Sequence, residues 1–119
     1  MNPICPIHKT PLAPCKTQYG LRYACKNEDC TVVWWKTGSP STPADLVTRQ
    51  ARQDAHLYFD RWWKENNIKR ADAYEKLSKH LGISKAQTHI GLFTGEQCRM
   101  IVDFVKIQRK VTDDNISKP

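Results

Sequence analysis

Cys5-Pro-Ile-His8 and Cys25-Lys-Asn-Glu-Asp-Cys30 are two short pairs of metal-binding side chains, C-x2-H and C-x4-C, separated by sixteen residues. Each pair is short enough to wrap one knuckle around a tetrahedral ion, with sulfur at about 2.3 Å and nitrogen at about 2.0–2.1 Å. Four protein donors leave no coordination position for water, so the chemistry expected of Cys5, His8, Cys25 and Cys30 is a structural Zn2+ rather than a catalytic one. Disulfides fit poorly, because the cysteines number five and no secretory leader is visible. Burial as ordinary hydrophobes does not suit Cys5, which stands among Pro, His and Lys near the start of the chain. Cys98 lies on an apolar helical stripe and is expected in the core. Cys15 lies mid-hairpin and replaces His8 only by breaking the paired-knuckle spacing.

The elements that must position these donors read as an α+β fold, a small three-stranded zinc ribbon followed by a three-helix unit. Leu12 to Thr17 and Leu21 to Ala24 flank Gln18-Tyr-Gly20 as a hairpin, and Thr31-Val-Val-Trp-Trp-Lys36 supplies a third strand. A sheet this small cannot hold itself by burial alone, whereas a structural zinc couples metal binding to folding. The glycine and prolines of 37–43 stop the strand, dividing the chain into a ribbon over 1–38, a helical domain over 42–110 and a flexible tail over 111–119. Thr42 as N-cap, with Pro43 at the first helical position and Asp45 three residues after the cap, predicts helix one, running to Glu65 or Asn66. Its inward stripe is Val47, Ala51, Ala55, Tyr58 and Trp62, widened by Phe59 and Trp63. Helix two follows from about Arg70 with Ala71, Tyr74, Leu77 and Leu81 inward, and Gly82 past its end. Ser84 with Gln87 and Thr94 with Gln97 offer capping boxes, the second before Cys98, Ile101, Val102 and Val105 of helix three. The predicted helical core comprises Leu46, Val47, Ala51, Tyr58, Phe59, Trp62, Tyr74, Leu77, Leu81, Ile101, Val102 and Val105.

Two resemblances attach to these residues. The arrangement of Cys5-Pro-Ile-His8, hairpin, Cys25 to Cys30 and aromatic strand resembles the C-terminal zinc ribbons of type IA topoisomerases, with His8 where those carry a second Cys. Residues 5 to 105 resemble the zinc-finger-containing domain family of phage and bacterial proteins, through the ribbon followed by Ala55-His-Leu-Tyr-Phe-Asp60, Ala73-Tyr-Glu-Lys-Leu77 and His89-Ile-Gly-Leu-Phe93. The family resemblance implies a fold and a phage or prophage setting. The topoisomerase resemblance implies an association with single-stranded DNA.

Nineteen Lys and Arg against twelve Asp and Glu give a formal charge of +7, which suits a polyanionic partner. The excess is uneven: residues 1–41 hold five basic and two acidic groups, and 69–93 hold the same numbers, while 42–68 are balanced. Tyr19, Arg22, Tyr23, Lys26, Trp34, Trp35 and Lys36 interleave aromatics with bases in the ribbon, the composition of a surface that stacks nucleobases and neutralises phosphates. Trp34 and Trp35 are consecutive in a strand and therefore point to opposite faces, so at most one of them is expected to cover the helical part, and the other to find its own burial or remain exposed as a stacking surface.

His56 and Asp60 stand one helical turn apart, and His89 precedes a glycine. These three are expected to form a structural tie of the 88–93 segment to helix one, since one carboxylate and two imidazoles lack the further acids of a nuclease metal site. The bases Lys69, Arg70, Lys76, Lys79 and Lys85 surround helix two, but the segment after Gly82 leaves about one turn for a recognition helix, too short to read a major groove. No Gly-rich phosphate loop or H-E-x-x-H occurs, and no apolar run approaches the roughly 18 residues of a membrane span. The expectation is thus a cytoplasmic, non-catalytic protein with no membrane and no small-molecule substrate. It binds single-stranded DNA or RNA with little sequence preference or, alternatively, docks as a phage adaptor or inhibitor on a host protein.

Overall fold

Thr17 and Gly20 close the hairpin as a register pair, and Gly20 adopts φ 124°, a conformation that residues with a side chain rarely take. The computed structural model describes residues 2–36 and 40–117, with side chains as far as Lys110. Strands β1 (Ala13–Thr17), β2 (Gly20–Ala24) and β3 (Val33–Trp35) form an antiparallel sheet in the order β1-β2-β3. Helices α1 (Leu46–Glu65), α2 (Arg70–Leu81) and α3 (Gly95–Ser117) follow, with a 3-10 turn over Ile90–Leu92. The fold is α+β, as the sequence predicts. The chain divides into two compact units, Met1–Gln50 and Ala51–Pro119. The expected boundary at 38–41 falls partly outside the described residues, as do Lys118 and Pro119 of the expected tail. The backbone of α3 runs past Lys110, where the pattern predicts its end, to Ser117. Among the described residues, no helix is long and apolar enough to cross a membrane.

In the first unit Cys5, Leu12 and Val32 form the buried centre, with Tyr23, Cys25, Cys30 and Trp34 packed against it. The segment after β3 does not enter the helix at Thr42. Ala44 instead pairs with Val33, donating to its carbonyl at 3.2 Å and accepting from its amide at 3.0 Å. The helix starts only after Asp45, whose carboxylate accepts the Thr48 amide at 2.8 Å. The N-cap is therefore Asp45 and not Thr42, because a residue paired in a sheet must be extended and cannot lie in a helical turn. Arg49, from the first turns of α1, donates to the carbonyls of Thr31 and Ala44 and holds this end of the helix against the ribbon.

In the second unit Ala55, Phe59, Trp62, Ala73, Leu77, Ile90, Phe93, Cys98, Ile101, Phe104 and Val105 form one buried cluster. Phe59 meets Tyr74 edge-on at 4.9 Å, and Trp62 meets Phe104 likewise at 5.4 Å. Both early helices end in left-handed caps. Gly82 has φ 69°, with its amide donating to Lys79 and that of Ile83 to Ser78. Asn67 has φ 55°, with its amide donating to Lys64 and that of Ile68 to Trp63. Both follow the Schellman pattern, which satisfies carbonyls left over at a helix end. The two predicted capping boxes are present, Ser84 with Gln87 and Thr94 with Gln97 exchanging reciprocal bonds of 3.0–3.2 Å.

The inner face of α1 differs from the predicted stripe. Leu46 and Val47 are 53% and 78% exposed, Ala51 and Tyr58 only flank the core, and the buried line is Ala55, Phe59 and Trp62. Leu46 and Val47 fall in the turn that continues the ribbon, so the apolar pattern begins before the helical core does. On α2, Ala73 is buried and Ala71 exposed, and Val102 on α3 is half-buried. Leu77 is fully buried. Leu77→Ala should cost about 2–5 kcal/mol in chemical denaturation, whereas Val47→Ala should change stability by no more than about 0.5 kcal/mol.

Candidate metal centre

The first knuckle is built by backbone bonds around Cys5. Its amide donates to Thr10, its carbonyl accepts from Lys9 at 2.8 Å, and its sulfur receives the His8 amide at 3.5 Å. Lys9 takes φ 59° to complete the turn. The second knuckle leaves β2 at Cys25, whose amide donates to Val32, and closes with the Cys30 amide on the Asn27 carbonyl. The four donor atoms of Cys5, His8, Cys25 and Cys30 consequently lie within 4.8 Å of one another.

The separations test the donor set. Zinc–sulfur bonds of about 2.3 Å and zinc–nitrogen bonds of about 2.0–2.1 Å at tetrahedral angles give S···S edges of about 3.8 Å and S···N edges of about 3.6 Å. Cys5 Sγ lies 3.7 Å from Cys30 Sγ, and His8 Nδ1 lies 3.7 Å from Cys5 Sγ and 3.5 Å from Cys25 Sγ. These three of the six donor edges match a tetrahedral zinc site, the remaining pairs lie within 4.8 Å, and the imidazole turns Nδ1 inward. Cys5 is buried against Leu12 and Val32, contrary to what its polar neighbours in sequence suggest, while Cys25 and Cys30 are half-buried and His8 is exposed, so the site lies at the ribbon surface with one sulfur anchored in its core.

The thiols differ in their hold on the proton. The Asn27 amide, with further help from its side chain at 3.5 Å, outweighs burial and lowers the Cys25 thiol to about 6. At Cys30 the Val32 amide favours the thiolate, but burial and the thiols of Cys25 and Cys5 outweigh it and push the thiol to about 11. Sulfurs crowded this closely cannot all ionise unless a cation shares the charge, which is the service a divalent metal performs. Asn27 is the residue that the spacing of donors alone does not single out. Its signal is an amide side chain two positions after a ligand cysteine.

A family profile for a zinc-finger-containing domain matches residues 9–109. The chain belongs to that family. The match takes in the hairpin, Cys25, Cys30 and all three helices as far as Arg109, and opens directly after His8. No curated protein and no solved structure is significantly similar to the chain.

Outside the metal cluster the predicted residues separate. Tyr19 stands at the hairpin tip, 80% exposed. Tyr23 and Trp34 are register partners on one sheet face, their rings 5.4 Å apart, and the Trp34 indole donates to Ser41 Oγ at 3.0 Å. Arg22 and Trp35 are register partners on the other face, both half-buried. Lys26 and Lys36 are exposed, one directly after Cys25 and one directly after β3. Cys15 is exposed, its thiol 3.7 Å from the Lys16 carbonyl and outside the cluster, and Cys98 is buried, which pushes its thiol up.

His56 and Asp60 pair at 3.4 Å, and Trp63 also donates to Asp60 at 2.9 Å. His89 does not complete the expected tie. The 88–93 segment is held instead by Arg52, which donates to the Phe93 carbonyl at 2.8 Å, and by burial of Ile90 and Phe93. Among the described residues the four knuckle donors are the group of three or more Cys, His, Asp or Glu close enough to share a metal, and His56, Asp60 and His89 do not make a second one.

Metal uptake by three thiols and an imidazole releases protons. Calorimetric titration of the metal-free chain in buffers of different ionisation enthalpy should therefore show proton release accompanying zinc uptake, and zinc affinity should fall as the pH drops from 7.5 to 5.

Proposed function

We propose that Cys5, His8, Cys25 and Cys30 bind one structural Zn2+ and that the ribbon so folded is a non-catalytic nucleic-acid-binding module, preferring single strands with little sequence specificity. The observation that carries this reading is the state of the ribbon's cations. Lys9, Lys16, Lys26 and Lys36 are all exposed and, among the described residues, none is ion-paired. Unneutralised cations on the same unit as exposed Tyr19 and half-buried Trp35 can supply phosphate neutralisation, and the rings base stacking. Single strands are favoured because unpaired bases alone offer their faces. The setting in which we place such a module is the phage or prophage one that the family resemblance implies, in the cytoplasm. The alternative is docking on a host protein. Ile4 and Ile7, 47% and 57% exposed beside the metal donors, favour it at the first knuckle.

Elemental analysis should return one zinc per chain, and chelation should unfold the ribbon while much helical signal remains. Fluorescence anisotropy with a labelled oligothymidylate should show salt-dependent binding. Replacing Lys26 and Lys36 with Ala should flatten the log-log salt slope by up to about 0.7 for each phosphate that is no longer neutralised. Trp35→Ala should weaken binding by about 1–3 kcal/mol at nearly unchanged slope. Trp34→Ala should act on stability, since its ring and indole N–H are engaged within the ribbon. Absence of binding to any DNA or RNA at about 50 mM salt, where the electrostatic contribution is strong, overturns the reading in favour of the protein-docking one.

A further inference from the structure

Among the described side chains, the Nε of Arg22 is a buried polar atom without a hydrogen-bond partner. Arg22 lies mid-way along β2 and is half-buried, and no ion pair or hydrogen bond to a described residue engages its guanidinium. A guanidinium is always charged and carries five N–H donors. Holding one partly out of water with neither acceptor nor counter-charge is unfavourable, and the deficit disappears when an incoming anion supplies both.

The register decides what surrounds it. Cys15 on β1, Arg22 on β2 and Trp35 on β3 are successive Cα partners and form one row across a single face, about 10 Å from end to end. Tyr23 and Trp34 form the adjacent row on the opposite face, where they pack against the ribbon core. An unpartnered guanidinium thus stands directly across from an indole that the ribbon core does not use, and the row ends in an exposed thiol.

Resting on the nucleic-acid reading above, we infer that the face carrying Cys15, Arg22 and Trp35 is the nucleotide site. Arg22 grips a backbone phosphate and Trp35 stacks the attached base, while the rings of Tyr23 and Trp34, packed against the ribbon core, stack no base. A planar fork suits a phosphate because two parallel N–H···O bonds form at once. Arg22 is free to reorient toward it, since its resting position gives up no protein hydrogen bond. The ligand chemistry is a phosphate diester carrying a base, which separates it from free phosphate.

Cys15 reports on this face without any added label. The zinc-loaded protein is treated with a maleimide, and the rate at Cys15 is read by mass spectrometry with and without saturating oligothymidylate, and with inorganic phosphate at the same phosphate concentration. The oligonucleotide should slow Cys15 alkylation by about tenfold or more, and inorganic phosphate should not. Arg22→Gln should weaken oligonucleotide binding about tenfold or more and abolish the protection. Arg22→Lys, which keeps the charge but not the fork, should fall between the two. Zinc content and the unfolding midpoint of each variant check that the ribbon is intact, and the wild-type protection needs no variant. If the oligonucleotide binds while Cys15 reacts at its full rate and Arg22→Gln binds as wild type, this inference is wrong and the nucleic-acid reading stands. If inorganic phosphate protects equally, Trp35 contributes nothing and the inference is likewise overturned. If no oligonucleotide binds at all, both fall together.

Discussion

Three thiols and an imidazole from two knuckles, gathered within 4.8 Å, set the terms for the N-terminal unit. Among the described residues its buried cluster is Cys5, Leu12 and Val32, with Ala44 buried besides, far too little apolar surface to repay the ordering of a three-stranded sheet. The knuckles, the hairpin and the pairing of β2 with β3 therefore depend on the donors being held together. The protein prepares for that locally: amides of His8, Asn27 and Val32 are aimed at sulfur, so part of the thiolate charge is compensated by the backbone.

The helical unit rests on a different principle. Its interior is a chain of aromatic contacts from Tyr74 through Phe59 and Trp62 to Phe104, extended by His80 against the Phe104 ring. Its helix ends are punctuated by sequence-local devices, two left-handed caps and two capping boxes, none of which needs a distant partner. Arg52 is the notable long-range polar contact, reaching the Phe93 carbonyl and fixing the irregular stretch that delivers Ile90 and Phe93 to the core.

This division explains what could be read from the chain before its fold was known. The donor quartet, the hairpin, the Gly82 cap and the two boxes were legible because each is encoded within a few residues. The start of α1 was not. Thr42-Pro43 is a good local helix start, and it loses to the pairing of Ala44 with Val33, a contact that depends on where β3 lies. The same non-local cause leaves Leu46 and Val47 outside the core. Ile90 and Phe93 carry no periodicity to betray their burial, and the Asn67 cap lacks the glycine that marks the Gly82 one. The alternation rule correctly separated Trp34 from Trp35, but which of the two would pack was decided by Ser41 and Tyr23 in the folded ribbon.

The same Ala44 that displaces the helix start also closes an edge. β3 is an outer strand, and an outer strand with free amides and carbonyls is a template for a neighbouring chain. Ala44 occupies both polar groups of Val33, and Pro43 beside it offers no N–H on the outer side of that pairing. At the opposite edge, Pro14 stands within β1, again removing a donor. A sheet interrupted at both edges is poorly suited to recruit a partner by strand addition or to stack with its own copies into fibres. That turns recognition toward its faces and its knuckles.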